Sequence, residues 1–346
     1  MLAILAAAIS PRTTSAQRKP KLRIDADCEV FAIAPDNRIA YSVPHMKRIK
    51  KIAIERDDIW IASPNGKTKL IVDPEKFMPA AEKTSYVVNA LSWSPDGKRI
   101  VADLTVQKGS DDPDEPVGGT KSIALLDDNG REIKVAGTKA RFIENATDGT
   151  WLADDRTVVY LTGERAYTIV RTNTSDGKNT TLFAGHTFDA VAWDAKRNQA
   201  FAVSENLSVM GKLALLELDL VHEGIRQLTR LEAFEGQLTV SSTGSQVGFF
   251  ADGDTIEVRD LTSPMKPVRV KTGMGKFEFG REGRHILLKR GPENKSGDLV
   301  WVGLYDGTFV PLFHSLEFHD FQIAPDGDSL AVTQVGKAVL SVYALR

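Results

Sequence analysis

The sequence predicts an all-β protein, a seven-bladed β-propeller of four-stranded antiparallel blades whose last blade is closed by the N-terminal strand. Three observations predict it. One strand–turn–strand unit recurs seven times along the 346 residues. The steps between units lie near the length of a propeller blade. The last unit stops after its third strand, and a spare strand precedes the first unit.

The unit is clearest in Ala90–Leu104. Alternating residues lead into Ser94-Pro95-Asp96-Gly97 and alternating residues lead out. Pro presets φ, Asp can accept from the following backbone, and Gly takes positive φ without a steric cost. Two alternating runs around Asp-Gly are a strong hairpin signal. With Trp93 as the reference column, the equivalents are Ile33, Trp151, Trp193, Val240, Phe279 and Ile323, all large and apolar. Two residues earlier stand Phe31, Leu91, Gly149, Val191, Leu238, Phe277 and Phe321, which repeats the two-residue period of a strand. From Pro35 through Pro95, Ala153, Ala195, Ser242 and Arg281 to Pro325, the steps are 60, 58, 42, 47, 39 and 44 residues. Blades of this kind run about 40–45 residues, so the first two units carry insertions.

Taken in order, residues 1–16 read as a signal peptide, with the apolar run Leu2–Ile9 and small residues at Thr14 and Ala16. Residues 17–346 read as a single propeller domain. Lys21–Asp25 alternates as a strand and is expected to complete the last blade. Cys28 is the one cysteine, so no intramolecular disulfide is possible, and it reads as a buried thiol. Each turn is followed by a second strand, such as Arg99–Leu104, and a third, such as Asp58–Ala62. Second tight turns follow at Pro64–Gly66, Asp128–Gly130, Ser175–Gly177 and Tyr305–Gly307. Short fourth strands are expected at Thr68–Val72, Glu132–Val135, Thr180–Phe183 and Phe309–Leu312. The fourth turn, Asp194-Ala195-Lys196-Arg197, departs from the pattern.

Trp93–Ile100 resembles the repeat of TolB-like propellers, relatives of WD40 repeat proteins, and Ala34–Asn37 and Ala324–Gly327 resemble weaker copies. The resemblance extends over the repeat region, about Ile33–Leu345. It implies a propeller, and a family that includes periplasmic scaffolds and the propeller domains of serine peptidases.

The meander puts the tight turns on one face and the long connections on the other. Pro44–Ile52, Val106–Lys121, Ser204–Gly211 and Arg290–Gly297 join second to third strands, and Asp73–Tyr86 joins two blades. Binding tends to reside on loops carried by a rigid scaffold, so this rim is the expected binding surface. Just before each first strand on the same rim lie Glu29, Asn89, Asp148, Asp189, Gln237, Lys276, His319 and Asp320. Polar residues line water-filled propeller channels in any case. A ring with several carboxylates could also take a small polar ligand or a divalent cation such as calcium.

Other chemistry is thin. Ser110–Glu115 is acidic but lacks calcium-loop spacing. Lys47-Arg48-Ile49-Lys50-Lys51 faces the same rim. With Ile49, Ile52 and Ile54 it reads as a solvated strand, and the alternative is recognition of an acidic partner. It is too narrow for nucleic acid in a chain of net charge −2. The six histidines show no zinc spacing, and no Gly-x-Ser-x-Gly elbow or phosphate-binding glycine loop occurs. No catalytic residue or resident cofactor is expected. The reading is an exported, periplasmic or secreted, monomeric binding scaffold with a protein or cell-envelope partner and no transmembrane segment. The alternative is a metal-dependent hydrolase or lactonase at the channel mouth, where a carboxylate-held cation would polarise a carbonyl.

Overall fold

The computed structural model describes residues 19–345 apart from 29, 50–51, 78–83, 109–117, 139, 165, 206–212, 264–265, 274, 291–295 and 335–336. The expected signal peptide and acidic run lie outside the described residues. The expected architecture holds: seven four-stranded antiparallel blades form a ring, with the first strand of each innermost.

Blade 1 is Phe31–Ile33, Ile39–Val43, Asp58–Ala62 and Thr68–Val72. Blade 2 is Thr84–Trp93, Arg99–Lys108, Thr120–Asp127 and Ile143–Glu144. Blade 3 is Thr147–Trp151, Thr157–Thr162, Thr168–Asn173 and Asn179–Leu182. Blade 4 is Ala190–Asp194, Gln199–Ser204, Ala214–Asp219 and Ile225–Arg230. Blade 5 is Thr239–Val240, Gln246–Asp252, Thr255–Asp260 and Val268–Lys271. Blade 6 is Phe277–Phe279, His285–Arg290, Ser296–Gly303 and the first part of Phe309–Ile323. That strand continues as the innermost strand of blade 7, which adds Ser329–Gln334, Lys337–Ala344 and Leu22–Asp25. Leu22–Asp25 pairs antiparallel with Val339–Val342, so the N-terminal strand closes the last blade.

The core explains the sequence pattern. Among the described residues the buried apolar side chains form seven clusters, one at each of the seven blade interfaces. A strand therefore buries both faces. In Arg99–Lys108, Ile100, Ala102 and Leu104 pack toward blade 1, while Val101 packs toward blade 3. Second strands accordingly read as continuous apolar runs, such as Ala200-Phe201-Ala202-Val203, rather than strict alternation. The cluster holding Ile24, Phe31, Ile33 and Leu340 joins blade 7 to blade 1, and the free Cys28 is buried in it.

The turns keep one geometry through divergent sequences. A left-handed residue occurs in each: Asn37, Gly97, Asp155, Asn198, Gly244, Gly283 and Gly327. In the divergent fourth turn a single 3₁₀ turn, Ala195–Arg197, delays that residue by one position, to Asn198. Arginines beyond the turns reach across to the next blade. Arg38 lies 5.1 Å over the Trp93 ring and donates to Asp128 at 2.9 Å, and Arg99 lies 5.3 Å over Trp151. Trp93 in turn donates to the Ala32 carbonyl at 3.0 Å.

One expectation about elements needs correction. The outer strand of blade 2 is Ile143–Glu144, paired with Ser122 and Ile123, and Glu132 makes only a lone bridge to Leu126. After the tight turn at Gly130, Ile133 and Val135 pack on the cluster between blades 2 and 3, and the Ala136 amide donates to the Thr174 carbonyl of blade 3 at 3.0 Å. The connection from Pro44 holds the strand expected of its basic run. Met46–Ile49 and Ile52–Glu55 pair as an antiparallel ribbon.

Candidate functional site

The predicted channel-mouth residues separate into two groups. Asn89, Asp148 and Asp189 are exposed, one on each of blades 2, 3 and 4 or the connection leading into it. Asn89 donates to Thr105 Oγ1 at 2.9 Å, and Asp189 Oδ2 accepts from the Glu205 amide at 3.0 Å. No hydrogen bond or ion pair among the described residues joins these three to one another. Asp148 sits at a bulge with φ of +51°, and its backbone N–H donates to Asp103 Oδ2. Asp103 is buried, so desolvation pushes its carboxyl up to about 7, with the neighbouring Asp148 charge adding to the shift.

Gln237, Lys276 and Asp320 come together on blades 5, 6 and 7. Lys276 Nζ donates to Asp320 Oδ1 and to the Phe321 carbonyl, both at 2.7 Å, and lies 3.4 Å from Glu278 Oε1. Burial on its own lowers the Lys276 pKa, but the two carboxylates outweigh it and hold the ammonium above its ordinary value. Burial pushes Glu278 up despite Lys276. Gln237 bridges blade 5 to blade 6 by donating to the Phe277 carbonyl at 2.7 Å. Gln237, Lys276 and Glu278 border a cavity of about 510 Å³ whose lining includes Trp193, Leu238, Arg281 and Gln322. Glu29 lies outside the described residues. His319 lies within the strand Phe309–Ile323, and its side chain is outside the described part. Among the described residues no three His, Cys, Asp or Glu side chains gather as metal ligands would.

Glu278 and Gln322 are polar residues that the sequence reading passed over. Glu278 Oε2 accepts from the Ile323 amide at 2.6 Å, and Gln322 Oε1 accepts from the Ile33 amide at 2.9 Å. Ser92 and Thr150 approach to 3.3 Å across blades 2 and 3. All four occupy the column between the two apolar columns of the first strand. A polar residue there was the available signal. The chemistry of this channel wall is adhesion: its donors and acceptors are largely spent on tying one blade to the next.

Among the described residues the rim is most elaborated at blades 1 and 2. The first two strands of blade 2 are ten residues each, and their Thr84–Val88 and Leu104–Lys108 ends extend the sheet toward the rim. The ribbon Met46–Glu55 stands beside this extension. Its base is fixed by buried groups. Arg56 and Asp57 are both about 3 % exposed. Arg56 Nε donates to the Thr84 carbonyl at 2.9 Å, and Asp57 Oδ2 accepts from the Val88 amide at 2.8 Å. Tyr86, fully buried, donates to the Asp57 carbonyl at 3.0 Å and packs edge-on against Phe77. The Glu55 amide donates to Ser85 Oγ at 3.2 Å. The ribbon is therefore a rigidly rooted projection.

Comparison with known proteins fits the geometry. No family model matches the chain, and no curated protein matches it. Solved structures do. A chain of the crystal structure of a mitotic checkpoint complex aligns with a TM-score of 0.61 at 12% identity, covering 100% of this chain and 98% of that one. The β-propeller domain of Myceliophteria thermophila Cps50 (Swd1) aligns with a TM-score of 0.58 at 12% identity, covering 93% of this chain and 98% of that one. At this identity the likeness shows the fold alone, a seven-bladed β-propeller.

Proposed function

We propose that this chain is an exported, non-catalytic scaffold that binds a protein or a cell-envelope component through its elaborated rim. The observation that carries the reading is the ribbon Met46–Glu55, rooted by Arg56, Asp57 and Tyr86 beside the extended strands of blade 2. A projection whose base is fixed offers contact area at reduced ordering cost. The channel points the same way, because Lys276, Glu278, Gln237 and Gln322 are engaged in blade-to-blade contacts. The likeness of Trp93–Ile100 to TolB-like repeats and the signal-like residues 1–16 support export. No helix among the described residues is long and apolar enough to cross a membrane.

The test is affinity capture from an envelope extract with three proteins. They are the intact chain, a rim variant with residues 46–55 replaced by a short Gly-Ser link, and a tight-face control, Val310→Ser. Val310 is 55% exposed and borders a cleft of about 550 Å³ between blades 6 and 7. The reading expects one partner retained by the intact chain and the control and lost by the rim variant. Retention by all three, or loss only in the control, overturns it. Export is checked by N-terminal sequencing of the protein from a periplasmic fraction, with Gln17 as the expected first residue.

A further inference from the structure

We propose that the outer strand of the rim ribbon, Met46–Ile49, is a strand-pairing site for an extended acidic segment of a partner protein. The inference rests on the rim reading above and names the partner chemistry of that surface.

Backbone geometry comes first. The ribbon forms a sheet of its own, of two strands. Its register is Met46 with Glu55, Lys47 with Ile54, Arg48 with Ala53 and Ile49 with Ile52. The Arg56 amide donates to the His45 carbonyl at 2.9 Å, which marks that pair as hydrogen-bonded. Hydrogen-bonded and open pairs alternate in an antiparallel ladder. The bonded positions are therefore His45, Lys47 and Ile49. The N–H and C=O groups of Met46 and Arg48 face away from Ile52–Glu55. Among the described residues no strand pairs with that far edge. Met46 is 61% exposed, the largest exposure among the described large apolar residues.

The other strand is tied down. Ile54 is 1% exposed, Glu55 is bonded to Ser85, and the chain runs on into the parallel bridge between Arg56 and Tyr86. One edge is thus fixed and the opposite edge is open, which is the arrangement that strand addition uses.

Charge then selects the occupant. Lys47, Arg48, Lys50 and Lys51 place four positive charges in five residues of a chain whose net charge is −2. Cations on an edge strand oppose pairing between two copies of the same edge. They favour a strand carrying Glu or Asp at facing positions. A basic run of five residues falls short of the broad basic surface that nucleic acid requires. An acidic extended polypeptide satisfies both the edge and the charge.

The test uses the full chain and fluorescence anisotropy. The probe is a labelled, N-acetylated octapeptide of alternating Glu and Val. Its controls are the same peptide with Lys for Glu and the Glu peptide N-methylated at alternate residues. The expected result is binding of the Glu peptide at least tenfold tighter than either control. Met46→Pro removes an outward N–H without changing charge or the ribbon's own ladder, and is expected to weaken binding at least tenfold. Lys47→Glu with Arg48→Glu is expected to do the same. No binding of the Glu peptide at 1 mM, equal binding of the methylated peptide, or equal binding of a DNA duplex overturns the proposal. The methylated-peptide arm needs no protein variant, so it stands even if a variant misfolds. If the partner captured from envelope extract is lost by the 46–55 replacement but kept by Met46→Pro, the rim reading survives and strand pairing falls.

Discussion

Gly130 and Gly137 both adopt positive φ, at +78° and +76°, yet they make unequal demands. A Cβ on Gly130 would lie 1.9 Å from the Ile71 carbonyl oxygen of blade 1, whereas one on Gly137 would meet nothing within 4 Å. Gly137→Ala is expected to cost about 1 kcal/mol, for the left-handed backbone alone. Gly130→Ala should cost about 2–4 kcal/mol, because the blade 1 strand must also move. Urea unfolding of the two variants separates the terms. Asp103 gives a pH dependence. Its folded pKa, up to about 7, lies above the ordinary carboxylate range. The folded chain therefore binds this proton more tightly than the unfolded chain does. The contribution is fully present at about pH 4 and is lost as pH rises through 7. Melting temperature is expected to fall between pH 5 and pH 8, and Asp103→Asn should flatten that slope. An unchanged slope in the variant would reject the assignment.

At the scale of elements, the blades are joined by polar contacts as well as by apolar clusters. Lys276 ties blade 6 to blade 7 through Asp320 and the Phe321 carbonyl. Replacing it with Met leaves Asp320 and Glu278 without their cation. The side chain is 37% exposed, so water screens part of the loss. Lys276→Met should cost about 1–3 kcal/mol in urea unfolding, and Lys276→Arg should recover part of it. The rim ribbon is an element of another kind. It is rooted in the interface between blades 1 and 2, where Tyr86, Ile54 and Phe77 are packed. Its removal is expected to spare the ring, because the four strands of blade 1 pair without it. A rim variant with native-like circular dichroism would bear this out, and an unfolded one would count against it.

For the whole molecule, closure is the decisive feature. Leu22–Asp25 is the outer strand of blade 7, and Ile24 enters the cluster that joins blade 7 to blade 1. Deleting residues 19–25 removes that strand and opens an unprotected edge along Lys337–Ala344. The expected result is faster amide exchange in Lys337–Ala344 and in Phe31–Val43, with little change in blades 3 and 4. Uniform destabilisation of all seven blades would show instead that the ring melts as one unit. The gradient is expected because each cluster touches only two blades.

The sequence by itself determined the repeat, the count of seven, the tight-turn face and the match between a missing last strand and a spare first one. Those features are local. Turn residues and the two-residue period act over a few positions, so Ser94-Pro95-Asp96-Gly97 could set the register for Ala34–Asn37 and Ala324–Gly327. The fourth turn kept its left-handed residue by moving it to Asn198, which the pattern alone did not show. The site was less legible. The sequence grouped Lys276 and Asp320 on one rim, but their contact, and the one between Gln322 and Ile33, depends on how finished blades pack. The last pair is 289 residues apart. The outer strand of blade 2 and the Met46–Glu55 ribbon were decided in the same way. Ile143–Glu144 pairs with the third strand of its own blade, and the ribbon pairs with itself. Which short segment takes an edge depends on packing that turn residues and a two-residue period do not encode.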